Sequence, residues 1–286
     1  MRPLTDIDSL RRLGYAAPTA PGHGVRFESG TAEEVDEELA EETPVTLAYN
    51  GAAYAVMMAT PAELEDFAVG FSLTEGIVRA ADEVQRLTVV RHGRGIELQL
   101  EVPAEVAAAL GQRSRRLSGR TGCGLCGADS VEQVLGTVPQ VEMVAAVPAA
   151  AIGAAMRALR AAQPLNARTG AVHAAGWSSL DGALLLVRED VGRHNALDKL
   201  VGALVRAGRD PAEGFVVLTS RGSFELVQKT AILGAGLLAC VSAPTALAVR
   251  VAHAAGVTLA GFARDDRVTV YTHAGRVIAP HAPTGP

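Results

Sequence analysis

Two of the three cysteines of this chain, Cys123 and Cys126, stand three positions apart in the stretch RTGCGLCGADS. A pair at this spacing can supply half of a zinc site, form a redox disulfide or carry a transferable sulfur atom. The letters GCGLCG also match the glycine pattern of a dinucleotide-binding loop. The rest of the sequence has to discriminate between these four chemistries.

A structural zinc site takes about four ligands, usually from two cysteine pairs or from one pair with two closely spaced histidines. The third cysteine, Cys240, falls in the apolar stretch GLLACVS, where we expect a buried core residue. The seven histidines show no HxxxH spacing. We therefore expect no metal site within the chain, and a zinc site shared across a dimer stays open.

The dinucleotide interpretation needs a strand before the glycines, a helix after them and an acidic residue about twenty positions on. An arginine-rich segment precedes the glycines here, so the match is accidental. A thioredoxin-like pair stands at the start of a helix that follows a strand, and the sequence before Cys123 shows no such strand. The pair can still close a disulfide in air, which says little about function.

A sulfur carrier needs an exposed thiolate on a loop that can reach two partners. Positive charge near a cysteine favours the thiolate over the thiol. Four arginines lie within ten residues of Cys123, namely Arg113, Arg115, Arg116 and Arg120. We therefore predict a mobile Arg/Gly-rich loop over residues 106–130 that carries the cysteine pair. The arginines are equally compatible with a solvated surface or with contacts to an acidic partner.

The composition narrows the class of protein. The chain has 286 residues, 49% hydrophobic and 20% charged, which suits one large domain or two modest ones. Aromatic residues make up 4% and the net charge is −5, and both values argue against a nucleic-acid-binding surface. The first residues contain no apolar h-region, and no run of about 18 apolar residues suggests a membrane span. We expect a cytoplasmic protein that binds neither nucleic acid nor membrane.

The first third of the chain divides into two segments. Residues 1–40 are rich in proline and glycine and include most of the acidic run EEVDEELAEE, so we expect a loosely ordered tail. Residues 41–105 predict a small α+β module, in which Asn50-Gly51 marks a hairpin turn. Thr60 and Pro61 are typical of a cap and a first helical position, so a helix should open there.

Residues 131–286 alternate between helical and strand patterns, which is typical of a layered α/β domain. Ligands of such domains bind at the carboxyl ends of the strands. Three strand ends are unusually polar, namely REDVGRHN, TSRGS and FARDDR. In the first of them, Asp190, Arg193, His194 and Asn195 suit either an anion pocket or a hydrogen-bond network that holds the turn. Arg221 and Ser223 of TSRGS allow the same two interpretations.

Several segments together resemble the FdhD family. They are EETPVTLAYNG, TPAELEDFAVGFSLTEGIV, CGLCG, TGAVHAAG, REDVGRHNALDKLVG, SFELVQKTAILG, VSAPTALAV and GFARDDRVTVYT, between about residues 40 and 275. The resemblance implies a C-terminal three-layer domain similar to the cytidine deaminase fold, with a mixed sheet, behind a small N-terminal α+β module. His173 lacks the glutamate that a deaminase carries two residues on, so deaminase chemistry is not supported.

The resemblance also implies a function. Family members are sulfur carriers that accept persulfide sulfur from a cysteine desulfurase and pass it to the molybdenum of bis(molybdopterin guanine dinucleotide), before this cofactor enters formate dehydrogenase. By the family motif, Cys123 carries the persulfide and Cys126 assists. The resemblance implies a sulfurtransferase-type carrier that forms a homodimer. It also implies that GDP can bind as a mimic of the cargo. The alternative is a cofactor-binding chaperone that transfers no sulfur.

The cofactor-binding residues follow from the same resemblance, and the two arginines of FARDDR also suit anionic phosphates. The predicted set comprises Phe262, Ala263, Arg264, Asp265, Asp266 and Arg267, together with His173, Arg193 and His194.

Overall fold

The computed structural model of the chain describes residues 17–92, 95–117, 138–142, 145–264 and 267–279. Within these ranges the chain forms fourteen strands and seven α-helices. The strands are β1 (Thr19–Glu28), β2 (Thr31–Ala40), β3 (Thr43–Tyr49), β4 (Ala52–Ala59), β5 (Arg86–His92), β6 (Gly95–Glu101), β7 (Val147–Pro148), β8 (His173–Ser179), β9 (Leu184–Asp190), β10 (Gly214–Leu218), β11 (Leu237–Cys240), β12 (Thr258–Arg264), β13 (Arg267–Val270) and β14 (Val277–Ile278). The helices are α1 (Leu64–Thr74), α2 (Ala104–Leu117), α3 (Ala149–Ala161), α4 (Pro164–Thr169), α5 (Arg193–Arg206), α6 (Phe224–Leu233) and α7 (Ala246–Ala254).

Residues 19–40 form an antiparallel hairpin of two ten-residue strands, which we call the arm. This differs from the loosely ordered tail that we expected. The two residues of its turn, Ser29 and Gly30, have φ values of 50° and 85°, as the tight hairpin turn requires. The turn signal was present in the sequence, but the acidic composition outweighed it in our interpretation.

A four-stranded mixed sheet follows, in the order β4-β3-β6-β5. Strands β3 and β6 pair in parallel and the outer strands pair antiparallel. Its buried face packs on α1 around Leu47, Phe67 and Leu98. The β3–β4 hairpin turns at Asn50-Gly51, where both residues have positive φ, as predicted.

Helix α1 begins at Leu64, later than Thr60 and Pro61 predict. Thr60 makes long-range contacts in place of a helix cap. Its backbone N–H donates to Asp190 Oδ2 at 2.9 Å, and its hydroxyl oxygen accepts from the backbone N–H of Val191 at 3.1 Å. The N–H and the hydroxyl of Thr60 are therefore held by the C-terminal half of the chain and do not cap the helix, which starts four residues later.

Helix α2 occupies residues 104–117, the first part of the stretch that we predicted as a mobile loop. Its first half is rich in alanine and leucine, which are the strongest helix formers. The glycines of the stretch lie mainly after this helix. Cys123 and Cys126 lie outside the described residues, as does the rest of the predicted loop.

The central sheet of the C-terminal half has six strands in the order β13-β12-β11-β10-β8-β9. Strands β10, β11 and β12 are parallel, and β8, β9 and β13 join antiparallel. The mixed α/β sheet is therefore confirmed. The prediction missed β8, since its run HAAGWSS has only one large apolar side chain, Trp177, among small and polar residues.

Helices cover both faces of this sheet. On one face Trp177, Val216 and Leu238 pack against α5, α6 and α7. On the other, Phe215 and Val217 pack against α3. Adjacent residues of β10 thus belong to different cores, as the alternation of side chains along a strand requires. The result is three layers, whereas the likeness to the cytidine deaminase fold stays a prediction.

Helix α1 of the N-terminal module packs against α5 with two glycines at the contact. A Cβ on Gly70 would lie 1.7 Å from the carbonyl oxygen of Asp198, and one on Gly202 would lie 1.9 Å from that of Asp66. The two backbones therefore touch, and the module and the sheet domain share one interface. No helix in the described ranges is long and apolar enough to span a bilayer.

Candidate functional site

The sheet topology brings the predicted site residues to one edge. Parallel strands β10 and β12 end at Leu218 and Arg264, and β9 ends at Asp190 on the same side. Because β8 runs antiparallel to β10, it begins there, at His173. Helices α5, α6 and α7 all start next to this edge. We call it the carboxyl edge, since ligands of α/β sheets bind at such edges.

His173, Arg193 and His194 form a cationic cluster at this edge. Burial lowers the pKa of His173, and the charges of Arg193 and His194 lower it further. His194 Nε2 lies 2.8 Å from Glu225 Oε2, at ion-pair distance but without the alignment of a hydrogen bond. The close contact with His194 nonetheless keeps the pKa of Glu225 below its ordinary value. Arg193 therefore supplies the positive charge that an anionic group needs, beside the two imidazole rings.

Besides His194 Nε2, two more buried polar atoms at this edge lack a hydrogen-bond partner in the described structure. They are Arg193 Nε and the hydroxyl oxygen of Ser223. Ser223 precedes α6 but does not cap it with its side chain. Buried polar groups usually have partners, so such atoms mark places where a bound group can complete the hydrogen bonding. The cluster, Ser223 and the start of α6 suit an anion such as a phosphate.

The described residues of the FARDDR segment end β12 and begin β13, and Arg264 pairs with Arg267 across these antiparallel strands. Phe262 has φ = 50°, which is uncommon for a residue other than glycine and coincides with a bulge between Gly261 and Arg264. The Arg267 guanidinium lies 5.6 Å from the centre of the Phe262 ring. Arg264 is exposed and donates from Nε to the carbonyl of Val241 at 3.0 Å. Ala263 is buried, and Asp265 and Asp266 lie outside the described residues.

The motif REDVGRHN separates into two groups of residues. Asp190 was predicted to line the pocket but is fully buried in a network that holds the turn and the N-terminal module. Its carboxylate lies 2.7 Å from Lys199 Nζ and accepts the backbone N–H groups of Thr60 and Gly192. Asn195, also predicted for the pocket, donates to Asp190 and to the carbonyl of Met58. Asp190 and Asn195 therefore belong to a hydrogen-bond network that holds the turn. A buried carboxylate is stable only when it is paired and hydrogen-bonded in this way.

A second buried network joins α1, α5 and α6. Lys229 Nζ lies 2.9 Å from Asp198 Oδ1 and 3.0 Å from Glu75 Oε1, and Thr74 donates to Asp198 at 2.6 Å. Burial alone would lower the pKa of Lys229, but the carboxylates of Asp198 and Glu75 raise it. Lys229 therefore stays charged and fixes α6 against the module.

Sequence reasoning missed Glu225, Asp198 and both lysines. Asp198 and Lys199 stand between Leu197 and Leu200, where a helix with an apolar stripe usually carries solvent-exposed polar residues. Their burial depends on distant partners, Lys229 for Asp198 and Asp190 for Lys199, which the stripe does not indicate. Glu225 carried no signal either, because a glutamate in a first helical turn is ordinary.

Cys240 is fully buried at the end of β11, as predicted. Burial raises the pKa of its thiol to about 12. A thiol with this pKa stays protonated at neutral pH and is a poor nucleophile. Cys240 is therefore not a candidate for thiol chemistry.

Comparison with known proteins agrees with the motifs. The FdhD/NarQ family model matches residues 40–278. The sulfur carrier protein FdhD of Bordetella petrii is 52% identical over 274 residues, 94% of this chain and 99% of that protein. The protein of the same name from Xanthomonas campestris pv. campestris (strain B100) is 50% identical over 266 residues, 92% of this chain and 95% of that protein.

A solved structure is similar as well. The crystal structure of a formate dehydrogenase accessory protein from Desulfotalea psychrophila has a TM-score of 0.71 and 25% sequence identity, over 91% of this chain and 99% of that chain. The fold, the motifs and the extent of the sequence match agree with one another, and the chain belongs to the FdhD/NarQ family.

Proposed function

We propose that this protein is a sulfur carrier for the maturation of formate dehydrogenase. The observation that carries the proposal is the 50% identity, over 92% of the chain, with a relative named as a sulfur carrier protein. The chain has the cysteine pair that such chemistry needs, at Cys123 and Cys126. The likeness to a formate dehydrogenase accessory protein supports the same pathway.

In the first step Cys123 accepts sulfur from a cysteine desulfurase. The Cys123 thiolate attacks the outer sulfur of the persulfide on that enzyme. A new S–S bond forms at Cys123, the S–S bond of the donor breaks, and the donor cysteine leaves as a thiolate. Arginines such as Arg116 and Arg120 favour the Cys123 thiolate, and Cys126 assists as the second thiol.

In the second step the S–S bond at Cys123 breaks and its outer sulfur passes to the molybdenum of bis(molybdopterin guanine dinucleotide), the cargo of the carrier. Cys123 leaves as a thiolate, and the cargo supplies the two electrons that reduce the transferred sulfur to sulfide, with its molybdenum oxidised from Mo(IV) to Mo(VI). Arg264 and Arg267 contact phosphates of the cargo, Phe262 offers an aromatic face, and Ala263, Asp265 and Asp266 belong to the same binding segment. The exposed side chains of the two arginines and the φ of Phe262 support this part of the proposal.

The cationic cluster of His173, Arg193 and His194 binds a further anionic group of the same cargo. The unpartnered Arg193 Nε and Ser223 hydroxyl support this assignment, because they fit the oxygen atoms of a phosphate. We propose further that the three-layer domain is of the cytidine deaminase type and that the protein acts as a cytoplasmic homodimer.

The test of sulfur transfer is mass spectrometry after incubation with a cysteine desulfurase and cysteine. The wild type should gain one sulfur atom on Cys123, and the adduct should be absent from Cys123→Ala. Cys240→Ala is the matched control, and it should still gain the sulfur because Cys240 is buried. An adduct that persists in Cys123→Ala and is lost in Cys126→Ala would reverse the roles of the two cysteines.

The alternative, a chaperone that only binds the cofactor, predicts a different result. Formate dehydrogenase activity in cells that lack the native protein would then be restored by a variant with both Cys123 and Cys126 replaced. We expect wild type to restore the activity and that variant to fail.

A further inference from the structure

The arm, residues 19–40, is a two-stranded sheet whose residues belong to none of the hydrophobic cores described above. It contacts the body mainly where β2 passes α4, and there Arg168 binds Glu38 through two N–H groups and Thr19 through its hydroxyl oxygen. An isolated two-stranded hairpin is marginally stable in water. A twenty-two-residue hairpin that projects in this way is therefore a candidate for stabilisation by a partner.

The arm carries the net charge of the molecule. It has six acidic side chains against one arginine, a net charge of −5, which equals the net charge of the whole chain. The remainder of the chain is therefore balanced. The acidic residues are Glu28, Glu33, Glu34, Asp36, Glu37 and Glu38. A field of this sign repels nucleic acids and anionic membranes and attracts basic surfaces.

Large apolar side chains are exposed within the acidic surface. Phe27 is 80% exposed and Val25 is 52% exposed. They lie two positions apart on one strand, so they share a face of the hairpin. An exposed aromatic ring at the end of a charged surface is the kind of residue that anchors a protein interface.

A cavity of about 320 Å³ lies at the base of the arm. Its walls include Pro18, Pro164 and Leu165, and its charged groups are Arg168, Glu63 and Glu189. Glu38 of the arm pairs with Arg168, and Glu189 accepts the backbone N–H groups of Leu165 and Asn166. Glu63, 3.9 Å from Lys199, is the partly exposed carboxylate left for a cationic side chain. Apolar walls with carboxylates suit the long stem and charged end of a lysine or arginine side chain.

We propose that the arm and the cavity at its base form a docking surface for a protein with a basic face. The partner places Lys and Arg side chains along the carboxylates of β2, inserts one of them into the cavity and covers Phe27. The cavity adjoins β9 at one end of the central sheet, whereas β12 and β13 lie at the other end. A partner on the arm therefore leaves the FARDDR segment free for cargo.

The experiment compares two double variants that lose the same charge. The arm variant is Glu34→Gln, Asp36→Asn, on the face of the hairpin that carries Phe27, and the control variant is Asp82→Asn, Glu105→Gln, all at exposed positions. The probes are the purified cysteine desulfurase and the catalytic subunit of formate dehydrogenase from the same cells. Binding is measured by biolayer interferometry at low and at high salt.

We expect wild type and control to bind one of the probes with equal affinity, and the arm variant to bind it roughly tenfold more weakly at low salt. High salt should remove most of this difference, since it screens exposed charges. Phe27→Ala should increase the dissociation rate. Equal binding of the two double variants would overturn the proposal, as would failure of wild type to bind either probe. Self-association that is lost in the arm variant, without an effect on either probe, would assign the surface to a second copy and also overturn it.

The choice of probes rests on the proposed function, but the two can fail separately. If Cys123 gains no sulfur and the arm variant still weakens binding, the carrier function is wrong and the docking surface stands. If Cys123 gains sulfur and the arm variant binds as the control does, the converse holds.

Discussion

His173 illustrates how the carboxyl edge sets the protonation of a single side chain. The residue is half-buried at the start of β8, and burial together with Arg193 and His194 lowers its pKa. Because the folded pKa lies below the ordinary value of about 6.5, the stability linked to this group is fully present above that pH. It is lost as the pH falls through the lower folded pKa. An anionic cargo would oppose the shift, because negative charge favours the protonated imidazole.

The prediction at this scale concerns the His173 titration. In Arg193→Leu the pKa of His173 should rise, because one of the positive charges that lower it is removed. NMR titration of the imidazole signals measures the change. Arg209→Leu, an exposed arginine beyond the end of α5, is the control and should leave the pKa unchanged. Equal His173 pKa values in the two variants would show that Arg193 does not act on this ring.

Helices α1 and α5 depend on glycines for their contact. Glycine normally weakens a helix by up to about 1 kcal/mol relative to alanine. An alanine at Gly70 or Gly202 would place its Cβ within 2 Å of a backbone carbonyl oxygen of the facing helix. The two helices would have to separate, and the packing lost in this way outweighs the gain in helix propensity. The residues of α5 that bind the module, Asn195, Asp198 and Lys199, keep their partners only if the helices stay this close.

We therefore expect Gly70→Ala and Gly202→Ala each to lower the free energy of unfolding by more than about 2 kcal/mol. Urea denaturation measures the change. Gly275→Ala is the control, because a Cβ at Gly275 would meet no atom within 4 Å. Stabilities of the helix variants within error of this control would mean that α1 and α5 can separate without loss.

The chain contains only two lysines, and both lie in the interior of the protein. Lys199 and Lys229 are buried, whereas every other basic side chain apart from histidine is an arginine. Both lysines lie between the module and the sheet domain, paired with Asp190 and Asp198. Each ammonium group has three N–H donors, and neighbouring carboxylate, hydroxyl or carbonyl oxygens accept them. The relative placement of the two halves therefore depends on buried charges as much as on apolar packing.

Removal of one member of such a pair leaves the other buried and unpaired. Lys229→Met should lower the free energy of unfolding by about 3–5 kcal/mol, and Asp198→Leu in the same chain should restore part of the loss. Arg206→Met is the control, because Arg206 is half exposed where it binds Asp66 and should cost only about 1 kcal/mol. Thermal or urea unfolding of the four proteins provides the comparison. A double variant no more stable than Lys229→Met would mean that the Asp198 charge is not the source of the cost.

The sequence by itself determined the properties that depend on near neighbours. Alternation of apolar residues predicted most strands and helices of the second half, Asn50-Gly51 predicted its hairpin, and an apolar strand predicted the burial of Cys240. The motif set also sufficed to identify the family, because it extends over most of the chain.

The tertiary structure decided what depends on distant partners. Sequence alone could not separate Asp190 and Asn195, which hold the module, from Arg193 and His194, which lie with His173. Thr60 was predicted as a helix cap, but its partner stands 130 positions later. The physical reason is that local patterns encode periodicity and turns, whereas a buried polar group is satisfied by whichever residue the folded chain brings to it. Chain topology makes these pairings, and a single sequence does not display them.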